Sequence, residues 1–212
     1  MLLAAAACQT TSPPTLDEVR AELLAMSASD QQLEQMVIQG DPAIQDPGFY
    51  ERKDRQQDRY GERCKQLFEQ FGYLGADRVG TEAAEAFWLL VQHADRDPGF
   101  QDRVVEAMRP VVARGDARPS NLAYLTDRVR ANTGRPQVYG TQVYYDGKTG
   151  RILPKPLEAP SQVDERRAAV GLEPLWKYVN SMTELHFRMN REQLKAQGVE
   201  APPLVPVGFA GW

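Results

Sequence analysis

One apolar segment near the middle of the chain constrains the fold more than any other feature. Residues 82–94 read E-A-A-E-A-F-W-L-L-V-Q-H-A, which places apolar side chains on nearly every side of a predicted helix. Such a helix is stable in a globular domain only when other elements surround it. The segment is also shorter than the ~20 apolar residues that cross a membrane. We therefore expect residues 82–94 to form the centre of a helical core.

Helix signals lie on both sides of this central segment. Thr15 precedes acidic residues as an N-cap does, Asp97 stands before a proline, and Gly115 follows a helical pattern as a C-terminal stop. Pro110 lies inside one predicted helix and is expected to kink or split it. The helices predicted around the central one cover residues 15–26, 29–39, 49–71, 97–114, 119–132, 160–170 and 174–197.

Only one part of the sequence has the pattern of a sheet. Residues 137–145 read Q-V-Y-G-T-Q-V-Y-Y, and D-G-K-T-G supplies a turn before a second short strand ending at residue 153. A lone hairpin is marginally stable, so it must pack on the helices. The predicted fold class is mainly α: a helical domain around helix 82–94 with one β-hairpin at 137–153.

Size and charge limit the organisation and the partners. With 212 residues, 42% of them hydrophobic, the chain is long enough for one globular domain with appendages. We assign residues 15–190 to that domain and residues 191–212, rich in Pro and Gly, to a C-terminal tail. The formal net charge of −4, with basic and acidic residues interleaved, argues against nucleic acid as a partner.

The N-terminus resembles the end of a bacterial lipoprotein signal peptide. Residues 1–8 read M-L-L-A-A-A-A-C, and the tether-like Q-T-T-S-P-P follows. The resemblance implies a signal remnant and tether at 1–14, a lipid on Cys8, and a membrane-anchored protein of the cell envelope. If the N-terminal start is wrongly assigned, we expect a cytoplasmic protein instead. If Cys8 carries the lipid, Cys64 has no partner within the chain for a disulfide, and it is expected to be a small buried residue.

The first candidate site is the polar end of the central helix. Gln92 and His93 close the apolar run, and Asp95 follows two residues later. Imidazole at a helix C-terminus beside an acid such as Asp95 or Asp127 is a workable general base. Two interpretations stay open: His93 closes a buried hydrogen-bond network, or it lines a pocket.

A second candidate group follows Pro119 and continues into the predicted hairpin. Tyr124, Asp127 and Arg128 share one helix face, and Arg128 would either neutralise an acid or bind an anionic ligand. In the predicted strand, Tyr139 and Gln142 flank a glycine that indicates a bulge or a close backbone approach. If the hairpin folds over the end of the central helix, Tyr139 or Gln142 would meet His93.

The sequence lacks the common signatures of enzymes and metal proteins. It contains no G-x-S-x-G, no Walker loop, no H-E-x-x-H and no C-x-x-C pair. His93 and Asp95 are spaced so that they point apart on a helix. We therefore predict no metal ion and no cofactor.

Several blocks in the middle of the chain resemble a widespread bacterial family of uncharacterised domains. The blocks are W-L-L-V-Q-H-A-D-R-D-P-G-F-Q, L-A-Y-L-T-D-R-V, G-R-P-Q-V-Y-G-T-Q and V-D-E-R-R-A-A-V-G-L-E-P-L, in that order between residues 80 and 179. The first ~80 residues lie mostly outside the resemblance. Because no reaction is established for this family, the resemblance implies no particular activity.

Two hypotheses about function follow. The first is an uncharacterised envelope lipoprotein domain whose polar cluster around His93 serves folding or ligand binding, with an unidentified small molecule or protein as partner. The second is a small-molecule hydrolase or transferase with His93 as base and Asp95 or Asp127 orienting it. In that case Arg128 and Gln142 would bind an anionic or amide substrate.

Overall fold

A computed structural model describes residues 13–212, and the fold is mainly α with one β-hairpin, as predicted. Cys8 and all but the last two residues of the tether predicted at 1–14 lie outside the described residues. One-turn 3₁₀ helices cover Pro42–Gln45 and Pro160–Gln162. The other elements are α1 (Leu16–Gln39), α2 (Phe49–Phe71), α3 (Ala76–Val79), α4 (Thr81–Gln92), α5 (Pro98–Ala113), α6 (Pro119–Asn132), β1 (Val143–Tyr145), β2 (Ile152–Pro154), α7 (Val163–Ala169), α8 (Leu175–Met189) and α9 (Arg191–Ala196).

The central helix is α4, and other helices surround it as the sequence predicted. It contacts α1, α2, α3, α5 and α6. The first core, built from these six helices, includes the buried α4 residues Phe87, Leu90 and Val91. Cys64 of α2 is buried in the same core, and burial raises the pKa of its thiol. The thiol therefore stays protonated and serves as an apolar side chain.

The N-terminal helix is one continuous element, so the prediction of separate helices at 15–26 and 29–39 was wrong. Thr15 and Glu18 form a capping box at its start, and Gly40 in the left-handed region ends it. The residues between the two predicted helices, Ser27 and Ala28, are small and include neither Gly nor Pro. Nothing there interrupts the backbone hydrogen bonds, and the buried face of α1 continues as far as Asp30.

Proline also failed to divide α5. Pro110 lies inside the helix, three residues before its last residue, and α5 continues unbroken to Ala113. Proline removes the one helical hydrogen bond that its own N–H would have made, and α5 continues past this single loss.

The β-hairpin is shorter than predicted. Val143–Tyr145 pairs antiparallel with Ile152–Pro154, whereas residues 138–142 form a loop and Gln137 makes only an isolated bridge to Leu157. Side chains satisfy the backbone groups that a longer ladder would have used. The Gln137 amide donates to the carbonyls of Gln142 and Lys155, 2.8 Å each, and its oxygen accepts from the Gln142 N–H.

A second, smaller core holds the hairpin, α7, α8 and the end of the chain together. Its buried members are Ile152, Val163, Leu175 and Val179, with Trp212 packed against them. The segment predicted as tail begins with helix α9, and its later part is anchored on α8. There the Asn180 side chain exchanges two hydrogen bonds of 2.9 Å with the backbone of Val205. No helix among residues 13–212 is long and apolar enough to span a bilayer.

Candidate functional site

His93 stands at the C-terminal end of α4, where its imidazole meets a carboxylate from the first helix of the chain. His93 Nδ1 lies 2.8 Å from Asp30 Oδ2. Asp30 belongs to the buried face of α1 and is only 2% exposed. The sequence predicted Asp95 or Asp127 as the partner of His93, but the structure places Asp30 there. Helix packing between α1 and α4 creates the pair.

Asp30 is held in its charged form by its neighbours. Burial by itself would raise the pKa of Asp30, but the hydrogen bond and charge of His93, with help from Gln31 and Gln57, bring this pKa below its usual value. Glu34, one turn further along α1, accepts from Gln57 and pairs with Lys53 at 2.7 Å. The carboxylates of α1 therefore face donors from α2 and α4.

The imidazole also borders an open cleft, which we name the His93 cleft. The His93 side chain is 18% exposed, and within residues 13–212 its Nε2 has no hydrogen-bond partner in the protein. Arg96 pairs with Asp58 and lies 3.7 Å from Asp54. The cleft has a volume of about 210 Å³, and its lining residues are Asp54, Gln57, Asp58, His93, Asp95 and Arg96.

Three side chains near the cleft are close enough together to hold a metal ion. Asp30, Glu34 and His93 each present one ligand atom, and these atoms lie within 4.8 Å of one another. Carboxylate oxygen and imidazole nitrogen suit zinc and similar divalent ions. The Lys53 ammonium group, however, already faces Glu34 at 2.7 Å. The geometry thus describes an ion-pair network in which lysine supplies the positive charge.

Asp95 and Gln92 serve the junction between α4, α5 and α6. Asp95 accepts from Arg128 at 2.8 Å, from Asn132 at 3.0 Å and from Gln101 at 3.4 Å. Gln92 is buried, and its backbone carbonyl accepts from the same Gln101 amide at 3.1 Å. Asp95 therefore lines the cleft beside His93 while pairing with Arg128, and its hydrogen bonds leave the imidazole to Asp30.

Asp127 is fully buried and organises the loop before β1. Its carboxylate accepts from the N–H groups of Val138, Tyr139 and Thr141 and from the Thr141 hydroxyl, at 2.6–3.1 Å. The sequence paired Asp127 with His93, but the structure turns it toward this loop. Four donors explain why a carboxylate is tolerated there without a cation.

The remaining predicted ligand-binding residues gather around this loop. Tyr124 packs edge-on between Trp88 and Tyr178, and burial raises the pKa of its hydroxyl. Gln142 donates to the Thr141 hydroxyl at 3.1 Å, and the Tyr139 N–H is taken by Asp127. In the described part of the chain, neither Tyr139 nor Gln142 hydrogen-bonds to His93. The single site that the sequence predicted is therefore two groups, one at His93 and one at Asp127.

Two charged residues with structural roles were not predicted from the sequence. Asp30 continues the stripe of Val19, Leu23 and Met26 at spacings of four, three and four, so an acid on the buried face was the available signal. The other residue is Arg167 of α7, which is buried and donates to the carbonyls of Glu173 and Tyr139. No pattern in its neighbourhood distinguishes that role.

The fold and the site define a small helical domain that carries a buried aspartate and a partly exposed histidine at an open cleft. A family model described as "Family of unknown function (DUF6624)" matches residues 17–189, and the chain belongs to this family. The match confirms the resemblance to an uncharacterised family and extends it, since residues before 80, including all but the first residue of α1, are part of it. No curated protein and no solved structure matches the chain.

Proposed function

We propose that this domain binds a small polar molecule in the His93 cleft and acts on it by acid–base catalysis. His93 is the base, and Asp30 orients it. One observation carries the proposal: Nδ1 is engaged by a buried carboxylate at 2.8 Å while the rest of the ring borders an open cleft. Proton abstraction requires a base that a second side chain orients and that faces the space where a substrate binds.

The charges around the cleft support a neutral or cationic ligand. Three carboxylates line it, from Asp54, Asp58 and Asp95, against the single guanidinium of Arg96. Such a rim repels anions and attracts cations. Arg128 and Gln142, which the sequence favoured for an anionic or amide substrate, have other partners in Asp95 and Thr141.

Loss of activity in matched histidine variants tests the catalytic proposal. Purified domain is assayed against chromogenic esters, amides and glycosides, and we expect H93Q to reduce the turnover of any active substrate by about 10²–10⁴-fold. D30N should reduce it less, because the imidazole remains. The control is H186Q, which alters the other histidine of the chain and should leave turnover unchanged. Equal turnover by wild type and H93Q would refute the catalytic role.

Binding without chemistry is the second candidate, and the composition of the cleft favours it. Its lining residues include no serine, threonine or cysteine that would serve as a nucleophile. Mass spectrometry of small molecules that co-purify with the domain tests this function. A molecule present with wild type and lost from H93Q, but not from H186Q, would support binding at the cleft.

We further propose that the protein is attached to the cell envelope through a lipid on Cys8. The support is the sequence M-L-L-A-A-A-A-C followed by a polar, proline-containing tether. Expression in a bacterium fed a labelled fatty acid should give a labelled protein in the membrane fraction. The C8S variant should be unlabelled and should leave that fraction, and equal labelling of the two would contradict the proposal.

A further inference from the structure

A second cavity lies far along the sequence from His93, between the hairpin and the last residues of the chain. We name it the hairpin–tail groove. It has a volume of about 320 Å³, within the size range of pockets that hold small ligands. Its lining residues are Tyr144, Arg151, Ile152, Leu153, Pro154, Pro203, Leu204, Val205, Pro206, Phe209, Gly211 and Trp212.

The groove is apolar and open to solvent. All its lining side chains except that of Arg151 are apolar or aromatic. Two large ones remain well exposed, Tyr144 at 49% and Leu204 at 45%. Exposed side chains of this kind that cluster around a cavity mark a binding surface more often than scattered ones do.

Two polar groups of the groove lack partners. The indole N–H of Trp212 is buried and has no hydrogen-bond acceptor. A buried donor left unsatisfied costs about 1–3 kcal/mol, so it usually indicates a missing partner. Arg151, on the same groove, forms no ion pair with any acid among residues 13–212. An unpaired cation therefore lies on an otherwise apolar surface, and an unpaired donor is buried within one of the lining residues, Trp212.

We propose that the hairpin–tail groove binds a fatty acid of medium chain length. The acyl chain would cover Tyr144 and Leu204, and the carboxylate would supply the acceptor that the Trp212 N–H lacks and the negative charge that Arg151 lacks. A neutral hydrocarbon would satisfy neither polar group, and a cationic amphiphile would be repelled. This site is independent of the His93 cleft and of the function proposed there.

Calorimetric titration with dodecanoate, below its micelle-forming concentration, tests the proposal. We expect saturable binding at one site per chain. Affinity should fall at least tenfold in R151E, where attraction becomes repulsion, and about fivefold in W212F, which loses only the N–H. R59E is the charge-matched control, because Arg59 is exposed on α2, and its affinity should equal that of wild type.

Two further ligands distinguish recognition of the carboxylate from nonspecific hydrophobic binding of the alkyl chain. Dodecyltrimethylammonium and dodecanol carry the same chain with a cationic or neutral head, and each should bind at least tenfold more weakly than dodecanoate. Equal affinity for all three, unchanged affinity in R151E, or no binding of dodecanoate would overturn the proposal. Circular dichroism of each variant verifies that the helices are intact, and H93Q should bind dodecanoate as wild type does.

Discussion

Asp30 and Asp127 show how two buried carboxylates in one small domain take different roles. Asp127 accepts hydrogen bonds from four donors of one loop, so both of its carboxylate oxygens have partners within the protein. Asp30 depends on His93 and on longer contacts to the amides of Gln31 and Gln57, 3.3 and 3.5 Å. Asp127 is thus a structural residue of the loop, whereas Asp30 supports a side chain that reaches a cleft.

Replacing Asp127 by Asn should destabilise the domain strongly. The amide keeps one oxygen but turns an NH₂ group toward backbone N–H donors, so at least one donor is left without an acceptor in a buried place. We expect the free energy of unfolding in urea at pH 7 to fall by about 2–4 kcal/mol. D102N, at an exposed carboxylate of α5, should change it by less than about 0.5 kcal/mol. Equal effects of the two variants would show that the loop contacts contribute little.

His186 should make stability depend on pH. Partial burial lowers the pKa of His186, which stacks on Tyr145. The unfolded chain therefore takes up this proton at a higher pH than the folded chain does. Stability from this residue is complete above a pH of about 6.5 and is lost as the pH falls below it.

The comparison of wild type with H186Q measures this contribution. Between pH 7.5 and 5.5 the free energy of unfolding should decrease more for wild type than for H186Q, because only wild type carries His186. His93 is present in both proteins, so its effect cancels in the comparison. Urea denaturation at several pH values provides the data. Parallel curves for the two proteins would contradict the expectation.

At the scale of elements, the loop of residues 133–142 is the joint between α6 and the second core. Gly140 has a φ of +71°, and a Cβ built on it would lie 3.0 Å from both terminal methyl groups of Leu175 on α8. The glycine indicated a bulge or a close approach in the sequence, and the structure shows the close approach. Arg166 also holds this loop, donating to the carbonyl of Val138 at 2.7 Å.

The substitution G140A should therefore cost more than a left-handed backbone alone explains. Gly171 has a similar φ of +74° with nothing within 4 Å of the added carbon, so G171A measures the backbone strain, about 1–2 kcal/mol. We expect G140A to lower the free energy of unfolding by at least about 1 kcal/mol more than G171A, because Leu175 is fully buried and must move. Equal losses would mean that Leu175 adapts without cost.

At the scale of the whole molecule, neighbouring residues of α6 connect the two cores. Arg128 reaches Asp95 at the end of the central helix, and Asp127 reaches the loop that leads to the hairpin. The second core is small, and Trp212 covers part of it. Its stability should therefore depend on the end of the chain in a way that the first core does not.

Removal of residues 199–212 tests this division. Amide hydrogen exchange should accelerate at Tyr145 and Ile152 of the hairpin, since the truncation uncovers apolar surface and removes the contacts of Val205 with Asn180. Leu90 and Val91 of α4 should keep the protection they have in the full chain. A uniform loss of protection would show instead that the two cores unfold as one unit.

Local patterns in the sequence determined the secondary structure class and the central helix. An apolar helix has few options other than burial, so residues 82–94 predicted both the core and the place of His93 at its end. The errors, in α1, at Pro110 and in the hairpin, arose where a weak local signal was overridden by backbone continuity or by side chains that bind the backbone. Secondary-structure propensity depends on a few neighbouring residues and carries no information about such contacts.

The partners of the charged residues were decided only by the tertiary structure. Asp30 and His93 are 63 residues apart in the chain, and their meeting depends on the way α1 packs on α4. The choice between Asp30, Asp95 and Asp127 as the acid beside His93 could not be made from spacing, because all three are compatible with helical patterns. Long-range electrostatic pairs follow from packing geometry, and the sequence encodes that geometry only through the sum of many contacts.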